Sequence, residues 1–184
     1  MRETFSLLGR RRTILDLSPA AEGMRPPARL ARGREGEMGA STLPLRWLVA
    51  DGVLVTLPNA GDEAVQLASC QAQLAATNPV RPLEIVLCRL PLDTAPAPNA
   101  GLAGACLDWL LEQGVRVIGV SAREPGPRAA WSSVQARSGV RYCLLEGLRH
   151  LDRLPGPRGF TVLVLPAHEA DPALSRVLAV FDGV

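Results

Sequence analysis

An α/β fold with a mostly parallel sheet and helical crossovers is what the sequence predicts, and three observations carry that expectation. Over residues 82–147 the chain reads PLEIVLCRL, NAGLAGACLDWLLEQG, VRVIGVSA, RAAWSSVQARSG and VRYCLLEG, an apolar run followed by an amphipathic stretch ending in Gly, twice over. Short apolar runs without alternation read as strands buried on both faces, the situation helices create on a parallel sheet. The 184 residues are 47% hydrophobic but only 4% aromatic, so one domain's core is filled by Leu, Val and Ala. The tetrapeptide PNAG occurs at 58–61 and again at 98–101, each time ahead of an Ala- and Leu-rich stretch, which points to a repeated β-loop-α unit.

Taken in order, residues 1–11 are expected to form a flexible arm ahead of a single domain over 12–184. RTILDLSP, at 12–19, alternates and stops at Ser-Pro, the pattern of a first strand. Residues 20–42 are rich in Gly, Pro, Arg and Glu and read as a mobile segment, with a short strand at 28–32. LPLRWLVADGVLVTLP reads either as a short helix running into a strand at 53–57 or as a hairpin about Asp51-Gly52, and the helix-to-strand reading fits Trp47 and Leu48 better. Asp62 and Glu63 favour a helix start, and Asn78-Pro79 ends that helix. The next helix, 101–113, puts Leu102, Cys106, Trp109 and Leu110 on one face and is closed by Gly114.

A strand at 115–121, an exposed loop at 122–127, a helix at 128–137 and a strand at 142–145 follow. LRHLDRL, at 148–154, is read as a Leu-faced helix, and FTVLVLP, at 160–166, as the plainest strand in the chain. Asp171-Pro172 is expected to open a last helix, with a final short strand at 181–184.

Composition narrows the function classes. A net charge of +2 gives no bulk drive towards nucleic acid or an anionic membrane. All twenty basic residues are Arg, and those at 10–12 and at 25, 29, 32 and 34 read as a solvated arm. Cys70, Cys88, Cys106 and Cys143 lack CxxC spacing and sit in apolar runs, as core residues of a protein in a reducing compartment do. With neither a spanning apolar stretch nor a signal-peptide h-region, a cytoplasmic location is expected.

Nucleotide-binding glycine loops, G-x-S-x-G and H-E-x-x-H are all missing. His150 falls on the polar face of its Leu-rich stretch, as a solvated residue, whereas His168 follows a strand beside Glu169 and Asp171, where parallel sheets bind ligands. Asp93-Thr94 reads as a loop cap, with a phospho-acceptor or a metal ligand as the alternatives. Glu146, ending its strand, is the best-placed single carboxylate, but one carboxylate does not hold a divalent ion. No metal and no cofactor are expected.

The order of these pieces resembles the EAL domain, the barrel that hydrolyses cyclic di-GMP. Ala28-Arg29-Leu30-Ala31-Arg32 is similar to that family's Glu-Ala-Leu-Leu-Arg strand, Val55-Thr56-Leu57-Pro58 to its Val-Asn-Leu-Ser, and 83–89 to its Leu-Glu-Ile-Thr-Glu. Residues 114–119 resemble the start of Gly-Val-Arg-Ile-Ala-Leu-Asp-Asp-Phe-Gly, Cys143-Leu144-Leu145-Glu146 the Leu-Lys-Ile-Asp strand, 163–168 the Val-Ala-Glu-Gly-Val-Glu strand, and 181–184 the Asp-Gly-Val tail. The resemblance implies an abbreviated TIM-barrel-like sheet, with an open doubly wound sheet of STAS or flavodoxin type as the alternative.

At the positions that build the family's metal site stand Thr56, Val86, Val120, Ser121, Leu165 and His168. The resemblance therefore implies a catalytically inactive regulatory domain of bacterial signalling that acts on a protein partner. A second expectation is a non-hydrolysing cyclic di-GMP receptor with Arg32, Arg123 and Arg128 neutralising phosphates beside Glu146 and His168. A third is a STAS-like phospho-switch using Asp93 and Thr94.

Overall fold

A computed structural model of the protein describes residues 2–7, 10–18, 30–32, 44–58, 63–90, 102–121, 142–166 and 175–182. The strands are β1 (Arg2–Leu7), β2 (Arg10–Asp16), β3 (Leu30–Arg32), β4 (Val49–Thr56), β5 (Ile85–Arg89), β6 (Val117–Val120), β7 (Cys143–Glu146), β8 (Phe160–Pro166) and β9 (Ser175–Asp182). The helices are α1 (Leu45–Leu48), α2 (Glu63–Ala76) and α3 (Gly104–Glu112), with a 3-10 turn at Leu151–Arg153. The described strands form one mixed sheet in the order β1-β2-β9-β8-β4-β5-β6-β7-β3.

β4 joins two halves of opposite character. Its first residues, Val49 to Asp51, pair antiparallel with Leu163 to Thr161 of β8, and from Gly52 onward it pairs parallel with β5. β5, β6 and β7 continue the parallel half, whereas β8, β9, β2 and β1 are antiparallel throughout.

Side-chain alternation sorts the parallel strands between two cores. Val53, Val55, Val86, Cys88, Ile118, Val120 and Leu144 face α2 and α3, where they meet Cys70, Leu74, Cys106, Leu107 and Leu110. Ile85, Leu87, Val117, Cys143 and Leu145 face the other way, onto Leu15, Leu17, Phe160, Val162, Val164, Val177, Ala179 and Phe181. Helices thus cover one face of the parallel layer and the antiparallel half covers the other, which is why β5 reads as an unbroken apolar run.

Two glycines permit this layering. An added Cβ at Gly52 would lie 2.0 Å from Cε2 of Phe160, and one at Gly119 would lie 2.5 Å from Leu148 and 2.6 Å from Leu87. Both are sites where another layer approaches the strand backbone.

β4 also has an outer edge to protect in its parallel half. Leu54 N–H donates to the Pro157 carbonyl at 2.9 Å. Thr56 N–H donates to Gln73 Oε1 at 2.9 Å, and Gln73 Nε2 donates back to the Thr56 carbonyl at 2.5 Å. A side-chain amide from α2 so imitates the neighbouring strand that β4 lacks there.

Several expectations need correction. The fold is neither an abbreviated TIM-like barrel nor an open doubly wound sheet: β1 and β3 end the strand order, and the second face of the parallel layer carries strands instead of helices. The expected arm over 1–11 supplies β1 and the start of β2, paired from Arg2↔Leu15 to Leu7↔Arg10. Its alternating polar and apolar residues suit a strand with one covered face.

The expected last helix is overturned by β9, where Val177, Ala179 and Phe181 all face the second core at a period of two. LRHLDRL forms only the short 3-10 turn, entered through His150 at φ +61°. The expected helix at 128–137 lies outside the described residues.

Candidate functional site

Parallel strands bring their carboxyl ends to one edge, and in layered α/β folds that edge carries the chemistry. Here the register sets Thr56 beside Arg89, Cys88 beside Val120, and Val120 beside Glu146. The ladder runs just past the strands: Leu57 N–H donates to Arg89 O at 2.9 Å, Ser121 N–H to Cys88 O at 3.1 Å, and Leu148 N–H to Val120 O at 3.1 Å.

Two buried polar side chains fix the loop roots on this rim. Ser121 Oγ accepts from Leu90 N–H at 2.8 Å and donates to the Leu90 carbonyl at 3.3 Å. Gln66, fully buried in α2, accepts from Ala103 N–H at 2.8 Å and donates to the Pro58 carbonyl at 3.2 Å. The chain leaving β4, the chain leaving β5 and the chain entering α3 are therefore held by hydrogen bonds, a rigid frame for the segments 59–62, 91–101 and 122–141 that join there. Those segments lie outside the described residues.

Loss of the Gln66 amide would strip partners from two main-chain groups in the interior. Gln66→Leu is expected to cost about 2 kcal/mol of stability and to speed hydrogen exchange at the Ala103 amide. Urea unfolding and exchange at that amide check both.

The sequence-predicted site residues do not converge. Arg32 pairs with Cys143, and Glu146 ends the same strand three residues further on, so the two are separated by roughly 10 Å along the strand direction. Glu146 is at the carboxyl rim and Arg32 is not. Arg123, Arg128 and His168 lie outside the described residues, as do Asp93 and Thr94.

His150 is half-buried beside the 3-10 turn. Burial, then the guanidinium of Arg153, pulls its imidazole below the usual range. Arg149 lowers it further, and Asp152 opposes the shift.

A cleft of about 300 Å³ opens at the opposite, amino-terminal end of the parallel strands, lined among others by Asp51, Arg81, Glu84, Arg158 and Phe160. Glu84, buried at 5% exposure, takes Arg158 Nη1 on Oε1 at 2.6 Å and the Arg81 N–H on Oε2 at 2.7 Å. Arg158 Nη2 donates to the carbonyls of Asn78 and Pro79 at 3.1 and 3.3 Å. These bonds clamp the α2–β5 connection, with its left-handed residues Asn78 and Leu83, against the turn before β8. The cleft is built around a structural ion pair on the edge away from the loop-bearing rim. The sequence signal was a lone Glu at the head of an apolar run, with its partner 74 residues away.

Comparison with known proteins redirects the functional reading. A family model described as "Putative cyclase" matches residues 20–125, more than half of the chain and the part that contains β3 to β6. No curated protein gives a match.

Among solved structures, an isatin hydrolase bound to the product analogue thioisatinate is similar at a TM-score of 0.64 and 12% identity, over 94% of this chain and 93% of that one. A potential metal-dependent hydrolase with cyclase activity is similar at 0.64 and 17%, over 94% and 100%. A predicted metal-dependent hydrolase from Bacillus stearothermophilus is similar at 0.57 and 19%, over 98% and 86%.

These findings overturn the resemblance to the EAL domain. The inactive signalling domain, the cyclic di-GMP receptor and the STAS-like switch built on that reading fall with it, as does the expectation of no enzymatic activity. The misleading stretches were generic: Gly114-Val115-Arg116-Val117-Ile118 is a helix stop followed by a buried strand, which any parallel layer with helical crossovers contains.

Two of the similar structures carry a metal in their descriptions, which sets a test for this chain's donors. Among the described residues no group of three or more His, Cys, Asp or Glu side chains is placed to hold an ion. Cys70, Cys88 and Cys106 are locked in the helix-facing core, and Cys143 is in the other, where burial pushes its thiol up to about 12. The described side chains of the strands and helices do not fit a divalent metal.

Proposed function

The chain belongs to the cyclase family, and from that premise we propose that it is a hydrolase that opens the ring of a small aromatic lactam of isatin's kind. Water adds to the ring amide carbonyl, the C–N bond breaks, and the products are a carboxylate, the freed aryl amine and a proton. One observation carries the reading: the family match, over β3 to β6, is joined by a fold similarity to an isatin hydrolase that extends over 94% of the chain.

Ser121 and Gln66 hold the loop roots without strain, and Glu146 stands at the end of β7 beside the end of β6. A divalent ion, when bound by a hydrolase, polarises a carbonyl and activates water. The described residues provide no such donor set. No helix among the described residues is long and apolar enough to cross a membrane, in keeping with a small diffusible substrate and a cytoplasmic setting.

The test is incubation of the purified chain with isatin, with and without added Zn²⁺ or Mn²⁺, followed by chromatography and mass detection of the ring-opened acid. Product above the protein-free control is expected. Absence of turnover for isatin and for a panel of small lactams and aryl formamides under every metal condition would overturn the proposal.

A further inference from the structure

The antiparallel half of the sheet has a second face that neither core uses. Val177, Ala179 and Phe181 of β9 and Val162 and Val164 of β8 belong to the second core, so the residues between them point away from it. Those positions are aliphatic as well. Register places Ile14 beside Val180, Leu178 beside Leu163 and Leu163 beside Val49, with Leu165 two residues further along β8. Val49 and Leu165 are 45% and 43% exposed, the other four are half-buried, and neither core includes any of the six.

An antiparallel sheet with one wet face alternates apolar with polar residues. β8 and β9 instead read FTVLVLP and SRVLAVFD, apolar on both sides over most of their length, as strands covered on both faces do. The charges around the patch say what kind of cover fits. Arg12 is paired with Asp182 at one end and Arg176 with Asp16, at 2.9 Å, at the other, so the border carries no net charge. A nucleic acid, a charged peptide or an anionic bilayer finds nothing there to attract it. A flat apolar layer does fit, because sheets stack face to face about 10 Å apart, and this chain itself presents one.

We propose that two copies of the chain pack these outer faces on each other across a two-fold axis, forming a reversible dimer through β2, β9, β8 and the start of β4. The border charges suit that symmetry. An axis crossing the strands at the level of Leu15 and Ala179 sets Val180 of one copy over Leu178 of the other. The same axis sets Asp182 over Arg176 of the second copy, and both side chains are exposed. Symmetry repeats each contact, so an acid meets an arginine twice at the rim of an apolar centre.

The size of the face sets the strength. Four strands at about 4.8 Å and about six residues at about 3.4 Å each make a face on the order of 400 Å² in plan. Two such faces, corrugated by their side chains, bury on the order of 1,000 Å² together, the small end of the range for specific association. Half-dissociation is therefore expected near about 10 µM.

Sedimentation of the full chain from about 1 to about 100 µM is expected to show monomer passing into dimer. Carbene footprinting over the same range should show labelling of Leu163 and Leu178 falling several-fold. Leu163→Arg, in the middle of the face and outside both cores, is expected to raise the midpoint at least about tenfold, while the circular dichroism and melting temperature of the dilute protein stay those of the parent. A wild-type chain that remains monomeric to about 100 µM, the outcome if another segment of the chain or a different protein covers the face, would overturn the proposal. So would a dimer whose Leu163 and Leu178 labelling does not change, or one that Leu163→Arg leaves intact. Sedimentation and footprinting of the wild type decide the matter even if the variant does not fold, and neither depends on turnover of a lactam.

Discussion

Arg158→Met lowers the stability of the protein by about 3 kcal/mol, because it leaves the Glu84 carboxylate buried with its charge uncompensated. Glu84 is 6% exposed as a side chain and Arg158 23%, so water replaces little of what is lost. The Asn78 and Pro79 carbonyls also lose their donor, which frees the connection between α2 and β5. The paired replacement Glu84→Met with Arg158→Met is expected to recover most of the loss, since it removes the stranded charge as well as its partner. Urea unfolding of the two single variants and the double variant measures the coupling. A single Arg158→Met variant within 0.5 kcal/mol of the parent, on the order of an exposed pair, would show that the clamp carries no weight.

Gly52→Val is expected to cost about 3 kcal/mol, the upper part of the range for overpacking a filled core. Any Cβ at this position enters the ring of Phe160, with Cε2 at 2.0 Å, Cδ2 at 2.5 Å and Cγ2 of Val162 at 2.8 Å. Phe160 is 4% exposed, and its backbone is set opposite Phe181 in the β8–β9 ladder, so the ring moves only by giving up core contacts. Phe160→Leu in the Gly52→Val background should restore part of the loss, because the crowding belongs to that pair and not to β4 alone. Thermal melts of both variants test it, and equal melting temperatures for Gly52→Val and the parent would remove Gly52 as the point where the two layers close.

Misreadings fell where a local pattern was compatible with two partners. Residues 175–182 carry an apolar residue at every second position and also follow an Asp-Pro helix start, and pairing with β2 and β8 on both edges decides for the strand. At 1–11 the cluster of arginines suggested a solvated arm, yet the segment pairs with the following strand from Arg2↔Leu15 to Leu7↔Arg10. The candidate site was legible only as a rim. Glu146 was correctly set at the end of its strand, but Gln66 and Ser121 were missed because a buried amide in an Ala-rich helix and a Ser after a strand gain meaning only from the main-chain groups they satisfy. The EAL resemblance compared strand order and aliphatic content, properties that distinct α/β folds share for the same physical reason.

The sequence by itself determined the elements of the parallel half: α2 up to its stop at Asn78-Pro79, α3 up to Gly114, and the doubly buried strands β5 to β7. Each of these depends on burial and chain reversal within about a dozen neighbouring residues. Tertiary structure alone decided that β4 changes partners at Gly52, that strands cover the second face, and that Glu84 meets Arg158. Those outcomes rest on pairings such as Leu15↔Ala179, between residues near opposite ends of the chain and both fully buried, where the gain comes from two surfaces excluding the same water and no local periodicity records the partner.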